Sequence, residues 1–301
     1  MSVSPSSIRT DTGPGDLPRI VIANALGSAE IFLDGGHVAR FQPVGERPLL
    51  WMSEASNYIQ GKAIRGGVPV CFPWFGPHPT DSTLGAHGFA RFRRWTLERT
   101  AELADGRSQV ELSFTTDAAT RKVWPHDARL SLLVTVGRTL ELVFTVTNTG
   151  TAPFICAEAF HTYFTVADIK RTEVTGLEGV RYLDKVDPGV RHQQGPVTFA
   201  GECDRVYEHT GEAVIVDRVW NRTISIAKRG SASTVVWNPW IAKAAKMVDY
   251  GNDEWPGMVC VETANALDAV VVVPPAFSHH LTAIIGTAPL AGVHGANGPL
   301  G

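Results

Sequence analysis

Only four cysteines occur in 301 residues, at Cys71, Cys156, Cys203 and Cys260. No two of them form a CxxC pair, which removes zinc-ribbon and dithiol redox motifs. Three lie inside apolar runs, where buried free thiols in a reducing compartment are the plain expectation. The sequence also lacks any apolar run of about 18 residues or more, so no membrane-spanning helix and no membrane partner are expected. Its first residues, MSVSPSSIRTDTGPGDLPR, contain no apolar stretch of the kind a secretory signal needs, and the cytoplasm is the expected compartment. An excess of positive charge is missing too. Lys and Arg total 27 against 30 Asp and Glu, for a formal net charge of −3 and a pI of about 6.4. The one dense basic run is Arg91, Arg93 and Arg94, whereas nucleic-acid binders present a basic face or stripe. Nucleic acid is therefore not an expected partner.

Charged residues make up 19% of the chain, below the usual quarter, and apolar residues 44%, which together favour a compact protein with a large interior. Helical periodicity is scarce, with Ile241–Val248 as a short two-turn candidate. Strand signals dominate. From Arg129 to Thr149, β-branched enrichment, alternation, a Gly-Arg interruption and a closing Asn-Thr-Gly turn predict a hairpin. Gln109–Thr115 alternates, Ala213–Val219 pairs naturally with Thr223–Ala227, and Thr234–Trp237, Met258–Thr263 and Ala269–Val273 continue the series, with Val197–Ala200 as a further short strand. Many short strands with turn punctuation predict an all-β sandwich or barrel rather than a βαβ fold. Ser, Pro, Gly and Asp mark residues 1–17 as a mobile tail, and residues 287–301 have a similar composition. A single domain is expected between them, over residues 18–286.

Several catalytic signatures are absent. Arg65-Gly66-Gly67-Val68-Pro69 has neither the P-loop layout nor a dinucleotide-binding context. There is no GxSxG elbow and no HExxH, and His279 and His280, adjacent on a strand, would face opposite ways. No metal site and no cofactor are predicted.

Chemistry is concentrated in four segments where ionisable residues sit among apolar ones, an arrangement that costs free energy unless the groups are paired or used. In Lys62–Phe75, KAIRGGVPVCFPWF, Arg65 precedes two glycines that let a ligand approach the backbone closely, and its planar guanidinium suits phosphate. In His87–Arg91, HGFAR, a strand would put His87, Phe89 and Arg91 on one face. In Cys156–Tyr163, CAEAFHTY, alternation separates Glu158 from His161, an imidazole suited to proton transfer near neutral pH. In Met258–Asn265, MVCVETAN, Glu262 stands on an otherwise apolar strand, where desolvation would raise its pKa and make it a useful base. Each segment alone also has a structural reading: an ion pair for Arg65 and Glu262, a solvated strand for Arg91, a satisfied core histidine for His161.

Together the phrases LLWMSEAS, AIRGGVPVCFPWFGPH, AHGFARFRRW, AFHTYF, VVWNPWIAKAAKMVDYG and WPGMVCVETAN resemble the aldose 1-epimerase superfamily, most closely its hexose-6-phosphate mutarotase branch. They follow the family's order and cover nearly the whole predicted folded region. The resemblance implies a large antiparallel β-sandwich, the galactose mutarotase-like supersandwich, with a sugar-binding concave face. It implies that His161 and Glu262 are catalytic, that Arg65, His87, Arg91 and Asp204 bind substrate, and that the partner is a small sugar phosphate, with the protein a monomer or weak oligomer. One departure is visible: Ala86 stands where some members of the family carry a substrate-contacting glutamine.

The implied reaction interconverts the α and β anomers of a hexose 6-phosphate, glucose 6-phosphate foremost, by ring opening and closure. Glu262, as carboxylate, would take the anomeric hydroxyl proton, and His161, as imidazolium, would protonate the ring oxygen. Arg65, Arg91 and Arg94 are the candidates to hold phosphate, and Trp74, Phe75 and Trp237 the candidates to stack on the sugar. A free-aldose mutarotase without a phosphate clamp and a non-catalytic carbohydrate-binding or regulatory protein are the alternative readings. A glycosidase would need a second carboxylate beside Glu262, and strand parity turns Glu158 away.

Overall fold

The computed structural model describes residues 7–290. Period-two alternation sets its largest sheet. In Leu140–Asn148 every second residue is buried, and Ala128–Val136 repeats the pattern except at its wholly buried end. The two form the expected hairpin, joined at Gly137, whose N–H donates to Thr139 O at 2.9 Å. They belong to an eight-stranded sheet in the order Thr172–Thr175, Ala213–Asp217, Arg222–Arg229, Ser278–Pro289, Leu140–Asn148, Ala128–Val136, Ser108–Thr115, Thr96–Glu102. Every pairing in it is antiparallel.

A second eight-stranded sheet carries the chemistry. Its path runs Gly189–His192, Arg181–Asp184, Cys203–Glu208, Ser233–Asn238, Met258–Asn265, Glu158–Phe160, Val70–Cys71, and Tyr163–Thr165 also pairs with Met258–Asn265. The two sheets share one apolar core, in which Phe144 of the first meets Phe160 of the second with ring centroids 6.4 Å apart. Burying side chains of this size stabilises by about 1.5–3 kcal/mol each, so this interface is the main support of the fold. Met258–Asn265 is buried at all eight positions, because the sandwich core covers one face and the site described below covers the other.

An N-terminal four-stranded meander, Ile8–Thr12, Pro18–Ala23, Gly27–Phe32 and His37–Pro43, contributes Ile20, Ile22, Ile31 and Phe41 to the same core. This corrects the tail expected over residues 1–17. Ile8–Thr12 is a strand in register with Pro18–Ala23, Leu17 is buried, and Arg19 bridges Asp11 to Glu30. The polar composition belongs to a sheet edge held by ion pairs. At the other end, Ser278–Pro289 runs past residue 286 because it keeps its partner Arg222–Arg229 to Pro289. The remaining parts of both expected tails, residues 1–6 and 291–301, lie outside the described residues.

Smaller differences have local causes. The helix expected over Ile241–Val248 is Trp240–Ala244, after which only isolated turns continue to Met247. Val197–Ala200 makes one bridge, to Val174, instead of a strand. Ala269–Val273 shortens to Val271–Val273 and pairs with Phe154–Cys156. All four cysteines are free and buried. Among the described residues no helix is long and apolar enough to cross a membrane.

Candidate active site

Met258–Asn265 and Ser233–Asn238 pair so that Glu262 lies directly opposite Val235. Across Met258–Asn265 from Ser233–Asn238, the chain breaks its extended course between Phe160 and Tyr163, where Thr162 N–H turns back to Phe160 O at 2.9 Å. The break presents His161, whose own N–H is held by Pro69 O at 3.0 Å. His161 Nδ1 lies 3.4 Å from Glu262 Oε1. Its ring stacks on Tyr163 at 4.9 Å and 11°, and meets His87 and Trp237 edge-on at 5.2 and 6.0 Å. The stack fixes the imidazole plane, so Nδ1 is aimed by packing rather than by chance.

His161 and Glu262 lie in the wall of a cavity of about 540 Å³, with Arg65, His87, Asp204, Lys185, Lys243, Phe75 and Trp237. Five of the six residues expected from sequence therefore converge. The sixth, Arg91, is not on this wall. The expected strand through His87 and Arg91 does not form: His87 has φ 66° and Ala90–Phe92 is a single 3₁₀ turn. Gly88 makes that turn possible, since a Cβ there would lie 1.9 Å from Phe72 O. Arg91 instead donates to Ala86 O at 2.8 Å and lies over Phe92, with its Nε buried and unpartnered. Its charge still reaches the pair, depressing His161.

Arg65 is placed by the glycines that follow it. Gly66, at φ 108°, lets the chain pass so close to Trp51 that a Cβ would sit 2.5 Å from Trp51 O. The Arg65 guanidinium then donates to Tyr163 OH at 2.9 Å and to both oxygens of Asp249 at 3.1 Å. Arg94 is spent elsewhere, on buried Asp34 at 3.0 Å. Asp204 faces two ammonium groups, Lys185 at 3.7 Å and Lys243 at 3.8 Å. Of the aromatic candidates, Phe75 and Trp237 line the cavity, whereas Trp74 packs on Phe89 and donates to Gly85 O. Glu158 is turned away, as parity requires, and accepts from Asn265 and His279 instead.

Burial dominates the electrostatics. It pushes the Glu262 carboxyl well above the usual range, with Asp204 adding to the shift. Burial also lowers the His161 imidazole, helped by Arg91 and Arg65. Both directions work against the charged pair expected from sequence. Both shifts favour the neutral pair, with the shared proton toward Glu262, because two separated charges in a buried wall are costly. One proton on the pair still leaves one acid and one base. His87 is likewise lowered, first by burial and then by His161.

His161, Cys260 and Glu262 also bring one ligand atom each within 4.8 Å of one another, a grouping that could hold a metal ion. Arg91, Arg65 and Lys185 act on His161 as nearby positive charges, while Asp204 acts on Glu262 in the opposite sense.

Residues 18–283 match the family described as aldose 1-epimerase. The chain belongs to the aldose 1-epimerase family. Among aldose 1-epimerase relatives, a protein of Escherichia coli K12 provisionally named glucose-6-phosphate 1-epimerase is 40% identical over 256 residues, covering 83% of this chain and 84% of the relative. One of Cenchrus ciliaris with the same provisional name is 35% identical over 274 residues, covering 87% and 82%. The crystal structure of YeaD, provisionally named a mutarotase, from Salmonella typhimurium superposes with a TM-score of 0.88 at 35% identity, over 94% of each chain. This is the antiparallel sandwich the epimerase resemblance implied.

Sequence reasoning missed Lys185, Lys243, Asp249 and the Tyr163 hydroxyl. The lysines sit in RYLDKVDPG and WIAKAAK, which read as an ordinary turn and a solvated helix. No local signal separates them from surface residues; only the tertiary fold turns them inward.

Proposed function

We propose that this aldose 1-epimerase family member interconverts the α and β anomers of a hexose 6-phosphate, glucose 6-phosphate foremost. The observation that carries the reading is the His161–Glu262 pair, 3.4 Å apart in the wall of a sugar-sized cavity also lined by Arg65, His87 and Asp204. The names carried by the relatives in Escherichia coli and Cenchrus ciliaris supply the phosphate ester.

Ring opening needs a proton taken from the anomeric hydroxyl and one given to the ring oxygen. In the reactive form Glu262 is the carboxylate and His161 the imidazolium. This form carries the same single proton as the resting one and is reached by moving it across the pair. A carboxyl with a raised pKa is a stronger base once ionised, and an imidazole with a lowered pKa is a stronger acid once protonated. Glu262 accepts the O1 proton, the C1–O5 bond breaks, and His161 protonates O5. Rotation about C1–C2 presents the other aldehyde face, and reversed transfers close the ring. Positioned groups of this kind contribute about 10²- to 10⁴-fold each. Arg65, held flat by Asp249 and Tyr163, and Asp204 fix the sugar hydroxyls, with His87 closing the cavity beside C1. A sugar phosphate as substrate and four buried free thiols support a cytoplasmic location.

The test is anomer exchange of glucose 6-phosphate followed by NMR. The expected result is exchange well above the spontaneous rate in the presence of the protein. Exchange at the spontaneous rate, with every hexose 6-phosphate tried, would reject the reading.

A further inference from the structure

Three cations line the cavity: Arg65, Lys185 and Lys243. Two of them are already matched. Arg65 holds both oxygens of Asp249 and the Tyr163 hydroxyl. Lys243 donates to Glu202 at 2.8 Å. Lys185 is different. Its nearest carboxylate oxygen, on Asp204, is 3.7 Å away, well beyond the roughly 2.7–2.9 Å of a close charge-assisted bond. Its ammonium instead lies 5.2 Å from the centre of the Phe75 ring, on the cavity wall.

The backbone holds this cation in place. Lys185 follows the strand Arg181–Asp184, and its N–H donates to Asp204 O at 2.9 Å, so the residue is pinned to the strand that carries Asp204. The side chain is 29% exposed and lines the cavity. Arg91, expected from sequence to share in anion binding, is behind the wall.

We propose that Lys185 is the residue that recognises the phosphate of the substrate and so sets the preference for a phosphorylated over a free sugar. This rests on the hexose-phosphate reading above. Asp204 keeps the ammonium near the cavity while it is empty. When sugar hydroxyls engage Asp204, the three ammonium donors turn to the phosphate oxygens, with Phe75 as the apolar shelf beneath the stem. A free sugar offers Lys185 only a neutral hydroxymethyl group, so it gains nothing comparable.

The experiment compares wild type with Lys185→Met, Lys185→Arg and the exposed control Lys246→Met, on glucose 6-phosphate and on free glucose. Lys185→Met should lose about 10- to 100-fold in kcat/KM on the phosphate ester, chiefly through KM, the factor expected for one charge-assisted bond. Its rate on free glucose should fall much less than its rate on the ester, Lys185→Arg should recover most of the preference, and Lys246→Met, at an exposed position, should change neither substrate. Wild-type activity on the ester that survives Lys185→Met intact would overturn the assignment while leaving the hexose-phosphate reading in place. An equal fall on both sugars would overturn it as well, because it would make Lys185 an electrostatic support of the catalytic pair. Absence of wild-type activity on any hexose 6-phosphate would instead remove the reading and this assignment with it.

Discussion

Raising the pH from 6.5 to 8 should leave the catalysed rate nearly unchanged, and this follows from which member of the catalytic pair holds the proton. The proposed reaction requires the His161–Glu262 pair to carry one proton. If both groups kept their ordinary values, 4.5 for the carboxyl and 6.5 for the imidazole, the last proton would leave from His161. Between pH 6.5 and 8 the active form would then fall by about 15-fold, since half the imidazole is already deprotonated at its pKa and each further pH unit costs up to about tenfold. The structure works against that order. Burial, with Asp204 adding to it, raises Glu262 well above its ordinary value, so the carboxyl keeps its proton to higher pH than an ordinary one. Burial, then Arg91 and Arg65, lower His161, so the second, inhibitory proton arrives only below the ordinary imidazole range. The active window therefore widens in both directions. The assay is anomer exchange by NMR on glucose 6-phosphate, corrected for spontaneous exchange. It is read as kcat, because the substrate phosphate has its own ionisation near about pH 6. A kcat that varies by less than about threefold between pH 6.5 and 8 is expected. A drop approaching the roughly 15-fold of an unperturbed pair would refute the electrostatic reasoning, whatever the substrate.

Two further outcomes are expected. Asp249→Asn removes the negative charge and one of the two oxygens that hold the Arg65 guanidinium; stability to urea should fall by about 1–3 kcal/mol and KM should rise, while unchanged KM would show that something other than this bridge fixes Arg65. His279 donates to buried Glu158 at 2.9 Å, and this bond raises its pKa. Its contribution is full below the ordinary histidine range and is lost as pH rises through the raised value, so His279→Gln should destabilise by about 1–2 kcal/mol at pH 6 and by much less at pH 9. Equal losses at both pH values would show that the charge is not involved.

Much of the fold was legible because alternation survives wherever one sheet face meets the core. Leu140–Asn148 and Ala128–Val136 state their own burial. Ile8–Thr12 was missed because its stability comes from pairing with Pro18–Ala23 and from the ion pair of its Asp11 with Arg19 there, rather than from apolar residues of its own. Within the site, Glu262 stood out as a carboxylate on an apolar strand, and His161 as an imidazole between aromatics. The chain reversal at Thr162 that aims His161, the left-handed backbone at His87 and the resulting withdrawal of Arg91 from the wall are set by contacts with Pro69, Gly76 and Phe72, distant in sequence. Strand parity could not foresee them. Lys185 is the clearest case. Its neighbours in sequence read as a solvated turn, and its importance comes entirely from what the sheet places beside it.

In the proposed reaction Glu262 and His161 exchange protons with the sugar. The most direct test is NMR anomer exchange on glucose 6-phosphate with wild type, Glu262→Gln and His161→Asn, alongside equilibrium binding of the same sugar. Loss of at least about 100-fold in kcat in each variant, with binding retained, is the predicted result. Exchange that persists near the wild-type rate in either variant would contradict it.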